Sequence, residues 1–316
     1  MLSCLCTIST CQQAKGLSAP SIAIHDSPSL RRLLWAVWPQ ARPVKMTAIA
    51  DSERFQGDAK KYAAYLETPE GRLRLDLAFA NLHDFLPKAT RTLHALDVGC
   101  GTGAIAMRLA RLGIHVTLLD SSPAMLDIAK SAAGEAGVTA KIVLIHGDAA
   151  QLANLFQSES FDVILCHNVL EYVDNPWGVL RSAAGRLRDA SGIISVLVRN
   201  QAGEVLKAAI KDGDLAATEH NLTAEWGYES LYGGKVRLYA PGRLRAMLLD
   251  ESLAVTAERG VRVLSDYLPP KISRTDEYKR IFELERKLGS RPEFAGAARY
   301  IHHLARRPGP MTENGV

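Results

Sequence analysis

Short apolar runs alternate with helix-periodic segments between about residue 93 and residue 200. Five of these runs have the length of strands and are rich in Val, Ile and Leu: LHALDVG, IHVTLLD, KIVLIHG, FDVILCHNV and GIISVLVRN. They show little polar alternation, which is typical of strands covered on both faces. Strands that alternate with helices predict right-handed crossovers and a parallel sheet.

The pattern changes after residue 200. Residues 201–240 predict helices and loops outside the sheet, and a helix (PGRLRAMLLDE) and a strand (AVTAERGVRVLSDYL) follow. Next come a long amphipathic helix, with Ile281, Leu284 and Leu288 on one face, and a last strand (ARYIHHLARR). We therefore expect an α/β fold: a doubly wound, mostly parallel seven-stranded sheet with a helical cap insertion at about 201–240.

The first 45 residues have a different composition, with Ser, Thr, Pro, three cysteines and a single acidic residue, Asp26. This composition resembles an organelle transit peptide. It equally fits an extension upstream of the true start, because Met46 opens a more ordinary sequence, or a flexible arm. We expect residues 1–45 to be mostly disordered and residues 46–316 to form the domain.

Composition narrows the class of protein only modestly. The chain has 316 residues, 47% of them hydrophobic and 23% charged, which is ordinary for a globular protein. A net charge of +4 permits a polyanionic partner without demanding one. The five cysteines show no metal-ligand spacing, and no apolar run is long enough to span a bilayer. We expect a cytoplasmic protein without a metal or a membrane partner, or an organellar one if the leader is a transit peptide; the oligomeric state stays open.

The segment HALDVGCGTGAIAMRLA carries the first chemical signal. Its glycines, Gly99, Gly101 and Gly103, are spaced one residue more tightly than a dinucleotide fingerprint, and no Lys-Ser/Thr pair follows as in a phosphate-binding loop. An acidic residue, Asp97, precedes the turn. This arrangement resembles motif I of the class I S-adenosylmethionine (SAM) methyltransferases, which have a Rossmann-like fold. The carboxylate suits a ligand with an ammonium and a sulfonium group, and glycines let the backbone approach it closely.

Two further acids follow successive predicted strands. Asp120 ends the second strand, where a carboxylate can accept hydrogen bonds from ribose hydroxyls. Asp148 follows the third strand, where the methyltransferase family places an acidic contact to the adenine amino group. Each has a plainer alternative: Asp120 could cap the next helix, and Asp148 could be a solvated loop carboxylate.

Three other stretches resemble a narrower group. FDVILCHNVLEYVDNPWGVL, GVRVLSDYL and ARYIHHLARRP are similar to the bacterial tRNA carboxymethoxyuridine methyltransferases, which use SAM to form the methyl ester of a wobble-base acid. The likeness runs from about Tyr65 to Pro308. It departs in residues 201–239 and at Arg199, where the family has an aromatic residue. The resemblance implies that the following residues line the cofactor: Arg74, Gly99, Cys100, Asp120, Asp148, Ala149 and His167.

The same resemblance implies an acceptor carboxylate and a tRNA partner. Arg199, at the end of the fifth strand, is well placed to hold a carboxylate as a fork, and His167 and Tyr172 are further catalytic candidates. An ionised acid needs no general base, so we interpret His167 as a contact to cofactor or substrate. Additional acceptor candidates are Glu171, Arg237, Tyr239, Arg262, Tyr267, Arg299 and Tyr300.

Two other functions stay open at this point. The acceptor could be a small-molecule acid or a quinone precursor, in which case residues 201–240 would close over an apolar ligand. Alternatively, the protein could bind SAM without turnover. Intact acidic residues at three strand ends argue mildly against the second alternative.

Overall fold

The structure, a computed structural model, describes residues 57–88, 90–231 and 233–309. The expectations for residues 1–45 lie outside this range, and the domain boundary at residue 46 stays a prediction. Within the described ranges, no helix combines the length and the apolar character needed to cross a membrane.

Nine strands in the described part of the chain form two sheets. In chain order they are β1 His94–Val98, β2 His115–Asp120, β3 Ile142–His146, β4 Val163–His167, β5 Ile193–Arg199, β6 Trp226–Glu229, β7 Gly234–Arg237, β8 Ala254–Val261 and β9 Tyr300–Arg306. Seven of them make one sheet in the order β3-β2-β1-β4-β5-β9-β8, in which only β9 runs antiparallel to its neighbours. The predicted mostly parallel seven-stranded sheet is confirmed.

Helices cover both faces of this sheet. They are α1 Ala59–Glu67, α2 Pro69–His83, α3 Ala104–Arg111, α4 Pro123–Glu135, α5 Leu152–Leu155, α6 Pro176–Ala184, α7 Gln201–Leu206, α8 Leu215–Asn221, α9 Pro241–Asp250, α10 Tyr278–Gly289 and α11 Pro292–Ala295. A π-helix, Lys207–Asp212, continues α7. Thr68, Ser122 and Asn175 each cap a helix with a side-chain oxygen immediately before a proline, which cannot donate a backbone hydrogen bond there anyway.

The central parallel strands β1, β4 and β5 are almost wholly buried, as their near-continuous apolar sequences predicted. The expectation is wrong for β3, which lies at the edge of the sheet and leaves Val143 56% exposed. One core cluster packs α6 and α9 against the sheet and includes Val98, Cys166 and Val198. The second packs α3 and α4 and includes Leu118 and Leu165. The carboxyl ends of β1, β2, β4 and β5 therefore open along one edge of the sheet, where polar side chains collect.

The predicted apolar face of α10 is wrong. Leu284 is 44% exposed, whereas Ile281, Glu285 and Gly289 face the protein. The Glu285 carboxylate is fully buried and accepts hydrogen bonds from three successive backbone N–H groups, those of residues 263–265 at 2.6, 3.0 and 2.7 Å. A glycine at position 289 lets the helix approach the backbone of Gly260, because a Cβ there would lie 2.2 Å from the Gly260 carbonyl oxygen.

Two other expectations need correction. The strand predicted for residues 254–268 ends at Val261, because Arg262 adopts a left-handed conformation with φ of 62° and the next N–H groups turn toward Glu285. Residues 201–240 hold α7 and α8 outside the main sheet, as predicted, but also the antiparallel hairpin β6–β7. Its strands have four residues each, too short for a clear period in the sequence.

We predict that Glu285→Ala lowers the free energy of unfolding by about 3 kcal/mol or more, since three buried N–H groups lose a charged acceptor at roughly 1–3 kcal/mol each. Glu283→Ala, an exposed glutamate on the same helix, is the matched control and should stay within about 0.5 kcal/mol. Denaturant melts of both variants measure the difference. Equal stability of the two variants would contradict the structural role given to Glu285.

Candidate functional site

The glycine turn connects β1 to α3 in an unusual backbone conformation. Gly99, Gly101 and Gly103 all have positive φ, at 63°, 53° and 71°. At Gly99 a Cβ would lie 2.7 Å from the side chain of Val169, and at Gly101 a Cβ would lie 3.2 Å from the Tyr62 ring. A side chain is therefore excluded at both positions by conformation and by space.

Asp97 lies at the base of this turn. Its side chain is buried, and among the described residues none donates a hydrogen bond to its carboxylate. Burial and the negative charge of Asp120 raise the pKa of Asp97 to about 7. A carboxylate in this state favours a positively charged ligand, which would restore the ionised form.

Asp120 holds the turn from the neighbouring strand. One oxygen accepts a hydrogen bond from Gly101 N at 2.8 Å and the other from Ser122 N at 2.9 Å. Each carboxylate oxygen has a second lone pair for a ligand hydroxyl. Burial raises the pKa of Asp120 despite these bonds. The capping alternative from the sequence does not apply, since the Ser122 side chain caps α4.

A cavity opens between this turn and the helices above it. The residues around it come from α1, α2, β1, the turn, the start of α3, the end of β4 and β5: Tyr62, Leu66, Arg74, Leu75, Ala78, Asp97, Gly99, Cys100, Thr102, Ala104, Ile105, His167, Asn168 and Leu197. Five sequence-predicted residues are thus brought together: Arg74, Asp97, Gly99, Cys100 and His167. Asp148 and Ala149 are not among these residues. The Asp148 side chain caps a short 3-10 helix and accepts a hydrogen bond from Ala150 N at 2.7 Å.

Sequence reasoning missed Tyr62 and Asn168, two residues around the cavity that are hydrogen-bonded to Arg74. Arg74 donates hydrogen bonds to the Tyr62 hydroxyl at 2.9 Å and to Asn168 Oδ1 at 3.1 Å, which joins α1, α2 and the end of β4. Asn168 has a φ of 53°. Asparagine tolerates the left-handed region better than most residues, and an Asn directly after an apolar strand is a signal that could have found it.

His167 is the first member of a buried polar chain. Its Nε2 lies 2.8 Å from Ser195 Oγ, which lies 2.7 Å from Nε2 of His302. Nδ1 of His302 lies 3.4 Å from the amide nitrogen of Asn81 on α2. Burial, with the positive charge of Arg74, lowers the pKa of His167 to about 3, and burial lowers that of His302 well below its usual value.

Because both imidazoles are neutral, the chain has a direction. The Asn81 amide nitrogen can only donate, so Nδ1 of His302 accepts and its Nε2–H donates to Ser195. The Ser195 hydroxyl then donates to Nε2 of His167. The remaining proton of His167 then lies on Nδ1.

The candidates that follow β4 serve mainly to join elements. Glu171 is buried and accepts hydrogen bonds from Asn168 Nδ2 at 2.9 Å and from the Arg199 backbone N–H at 2.8 Å, and burial raises its pKa. Tyr172 is half-buried, and desolvation raises the pKa of its phenol well above the usual value. The Tyr239 hydroxyl donates to the Leu170 carbonyl at 2.8 Å, which commits that side chain to the core.

An arginine-rich cluster lies beside the cavity, at the ends of β5 and β9. The guanidinium groups of Arg74, Arg199 and Arg262 lie 5.7, 5.8 and 6.0 Å from the ring centre of Tyr300. Burial alone raises the pKa of a phenol, but these positive charges outweigh it and lower the pKa of Tyr300. The arginines therefore favour the ionised form of this hydroxyl.

Carboxylates balance most of this charge. Arg199 donates to Glu204 at 3.2 Å and is ion-paired with Glu229. Arg262 pairs with Asp266. Arg299 lies 3.0 Å from the same Glu204 oxygen. A direct clamp on a substrate by Arg199 thus stays a prediction, since two acidic side chains already occupy its fork. Two remaining candidates lie nearby: Tyr267 donates to the Gly203 carbonyl, and Arg237 stacks on Trp226.

Comparison with known proteins points to one family. Residues 96–195 match the family described as a methyltransferase domain. The chain is 30% identical to the tRNA 5-carboxymethoxyuridine methyltransferase of Escherichia coli K12, over 80% of this chain and 96% of that protein. It is 34% identical to the ubiquinone biosynthesis O-methyltransferase of Maricaulis maris, over 54% of this chain and 62% of that one.

A solved structure with the same fold is the magnesium protoporphyrin IX methyltransferase of Synechocystis with bound S-adenosylhomocysteine. The two share 14% identity and a TM-score of 0.54, over 82% of this chain and 98% of the other. This likeness supports the fold of the sheet and its flanking helices.

The polar chain behind His167 generates a prediction about its tautomer. By ¹⁵N NMR at neutral pH, His167 should be neutral with its proton on Nδ1, and it should not titrate above about pH 5, since its pKa is lowered to about 3. Ser195→Ala removes the donor to Nε2 and should release His167 from this tautomer. A His167 that titrates near its ordinary pKa of about 6.5 would contradict the chain.

Proposed function

Since the chain belongs to the class I SAM-dependent methyltransferases, we propose that it methyl-esterifies a carboxylate on a wobble uridine of tRNA. The E. coli relative supports this acceptor, because the match covers nearly all of that protein and its name specifies such a substrate. The observation that carries the proposal in this chain is the cluster of arginines around Tyr300, of which Arg74 also lines the cavity. A carboxylate acceptor would be attracted to that position.

The cofactor is SAM, and the cavity fits its charges. Asp97 would receive the ammonium group, and the glycine turn would let the backbone approach the ligand. The free lone pairs of Asp120 would accept the ribose hydroxyls. Arg74 lies where it could face the carboxylate of the methionine part. Contacts from Asp148 and Ala149 to the adenine stay a prediction.

The proposed reaction is an in-line displacement. Bound SAM supplies an activated methyl group, so the protein needs to align the acceptor oxygen with it and exclude water. The acceptor carboxylate is ionised at neutral pH and requires no base. In this proposal the Arg199, Arg262 and Arg299 cluster compensates the acceptor charge through Tyr300. His167 orients a ligand with Nδ1–H and moves no proton.

The ubiquinone O-methyltransferase relatives raise the alternative of a small-molecule hydroxyl acceptor. A hydroxyl must lose a proton during methyl transfer, which calls for a base near the methyl group. His167, the histidine of the cavity, is a weak base, because burial and Arg74 lower its pKa to about 3. The residues therefore favour an acceptor that is already ionised.

We predict that SAM binding is coupled to the ionisation of Asp97. At pH 7 about half of the free protein carries a protonated Asp97, since its pKa is about 7. Binding of a cation should therefore release about half a proton from this residue. Calorimetry in buffers of different ionisation enthalpy measures this release. Asp97→Asn should bind SAM about 10–100-fold more weakly, for a lost charged contact of roughly 1.5–3 kcal/mol, and should lack the release.

Thermal melts of the free proteins are the control for folding. The pKa of Asp97 in the folded protein is about 7, above its unfolded value, so stability from this group is full at low pH and is lost as the pH rises toward 7. The wild type should show this loss, and Asp97→Asn should not. Equal proton release by both proteins on SAM binding would remove Asp97 from the cofactor site.

The proposed function is tested with labelled SAM and tRNA that carries 5-carboxymethoxyuridine. We expect methyl incorporation that mild alkali releases, as expected for an ester. Tyr300→Phe should lower kcat/KM for tRNA about tenfold, for one lost hydrogen bond of roughly 1–1.5 kcal/mol, while SAM affinity stays unchanged. Tyr267→Phe is the matched control, because its hydroxyl contacts a backbone carbonyl, and it should retain activity.

Two outcomes would overturn parts of this proposal. Incorporation that resists alkali, or transfer to a hydroxyl of a small molecule but not to tRNA, would exclude the ester function. Full activity of Tyr300→Phe with an ester product would keep the function and remove Tyr300 from the acceptor site.

A further inference from the structure

The β6–β7 hairpin has two contrasting faces. Trp226 and Tyr228 alternate along β6 and are 44% and 65% exposed. In the strand register Trp226 lies opposite Arg237, and Tyr228 lies opposite Lys235. Directly opposed residues of an antiparallel pair point to the same side, so each exposed aromatic ring has a basic side chain beside it.

The inner face holds the hairpin in this orientation. Val236 is fully buried, and Glu229 forms an ion pair with Arg199. A shift of the register by one residue would expose Val236 and bury Lys235. The outward position of the two aromatic rings is therefore imposed by the packing of their neighbours.

The two basic residues leave charge available on this face. The Arg237 guanidinium carbon lies 4.4 Å from the centre of the Trp226 ring, which braces both side chains. Lys235 is exposed. Charge and π-faces are thus presented together on a surface formed by four side chains.

We propose that the outer face of the β6–β7 hairpin is a docking platform for unpaired bases of an RNA loop next to the methylated nucleotide. Splayed bases stack on aromatic rings, and Lys and Arg side chains attract the phosphates that link them. This inference rests on the proposed function, which it deepens by naming the surface that selects RNA over a free nucleotide.

The position of the platform agrees with this role. The hairpin is joined to the candidate acceptor site by two contacts, the Glu229–Arg199 ion pair and a hydrogen bond from Arg237 N to the Glu171 carbonyl at 3.1 Å. A nucleotide whose acidic group lies near Tyr300 would therefore have its neighbours within reach of the hairpin. Charge complementarity favours a polyanion over an apolar protein segment as the occupant.

The test compares two substrates with the full-length protein. One is an anticodon stem-loop that carries 5-carboxymethoxyuridine, and the other is the free modified nucleoside. A double variant, Trp226→Ala with Tyr228→Ala, should raise KM for the stem-loop at least about tenfold, with kcat and the free nucleoside reaction unchanged. Phe294→Ala, a 39% exposed aromatic residue on α11, is the matched control.

The contribution of Lys235 is tested separately, through the salt dependence of RNA binding. Fluorescence anisotropy with a labelled, unmodified stem-loop measures binding without methyl transfer. Lys235→Ala should reduce the slope of log affinity against log salt by about 0.7, the value for one contact to single-stranded phosphate. Lys130→Ala, an exposed lysine on α4, should leave the slope unchanged.

The outcomes separate the platform from the proposed function. An unchanged stem-loop KM in the double variant overturns the platform and leaves the ester function intact. An equal loss with the free nucleoside also overturns it, because the hairpin would then act through the acceptor site. If the wild type methylates neither substrate, the proposed function fails, and the anisotropy measurement still decides whether the hairpin binds RNA.

Discussion

Burial of the Asp97 carboxylate at the end of β1 is the constraint on which the cofactor cavity depends. No described residue donates a hydrogen bond to this carboxylate, and burial together with the negative charge of Asp120 raises its pKa to about 7. The surrounding turn supplies no donor to it. The Gly101 N–H donates to Asp120 instead of Asp97. The glycines themselves, which the positive φ angles favour, have no side chain that could donate a hydrogen bond. The free protein thus holds a site whose charge is satisfied only by a cationic ligand, and this property matches a sulfonium cofactor with an ammonium group.

The opposite charge is buried three strands away in the sheet order, where guanidinium groups surround Tyr300 on β9. Buried cations require partners, and the chain supplies them from segments that follow β5. Glu204 comes from α7, Glu229 from β6 and Asp266 from the loop after β8. The segment at residues 201–240 therefore does more than cover the sheet. It carries two of these three carboxylates, which allow arginines to be buried beside Tyr300.

Much of the sheet and the cofactor turn could be predicted from sequence, because continuous apolar runs and glycines with positive φ are local signals. The buried face of α10 could not be predicted in this way. The helical period places Ile281 on one face with Leu284 and Leu288. In the structure the helix instead turns Glu285 inward, where its carboxylate accepts hydrogen bonds from the N–H groups of residues 263–265. Only the fold brings these groups together. Tyr62 and Ser195 were missed for the same reason. Their partners, Arg74 and the two histidines, lie 12 to 107 residues away in the chain.

The hairpin shows how one short strand can link two surfaces. Tyr228 and Glu229 are neighbours in β6, and strand geometry sends their side chains in opposite directions. The outward ring meets solvent, while the inward carboxylate neutralises Arg199. Strand geometry thus places a solvent-facing ring and a buried counter-charge on adjacent residues of one strand. Val236 on the partner strand fixes which way each of them points, because a shift of the register by one residue would exchange the two faces.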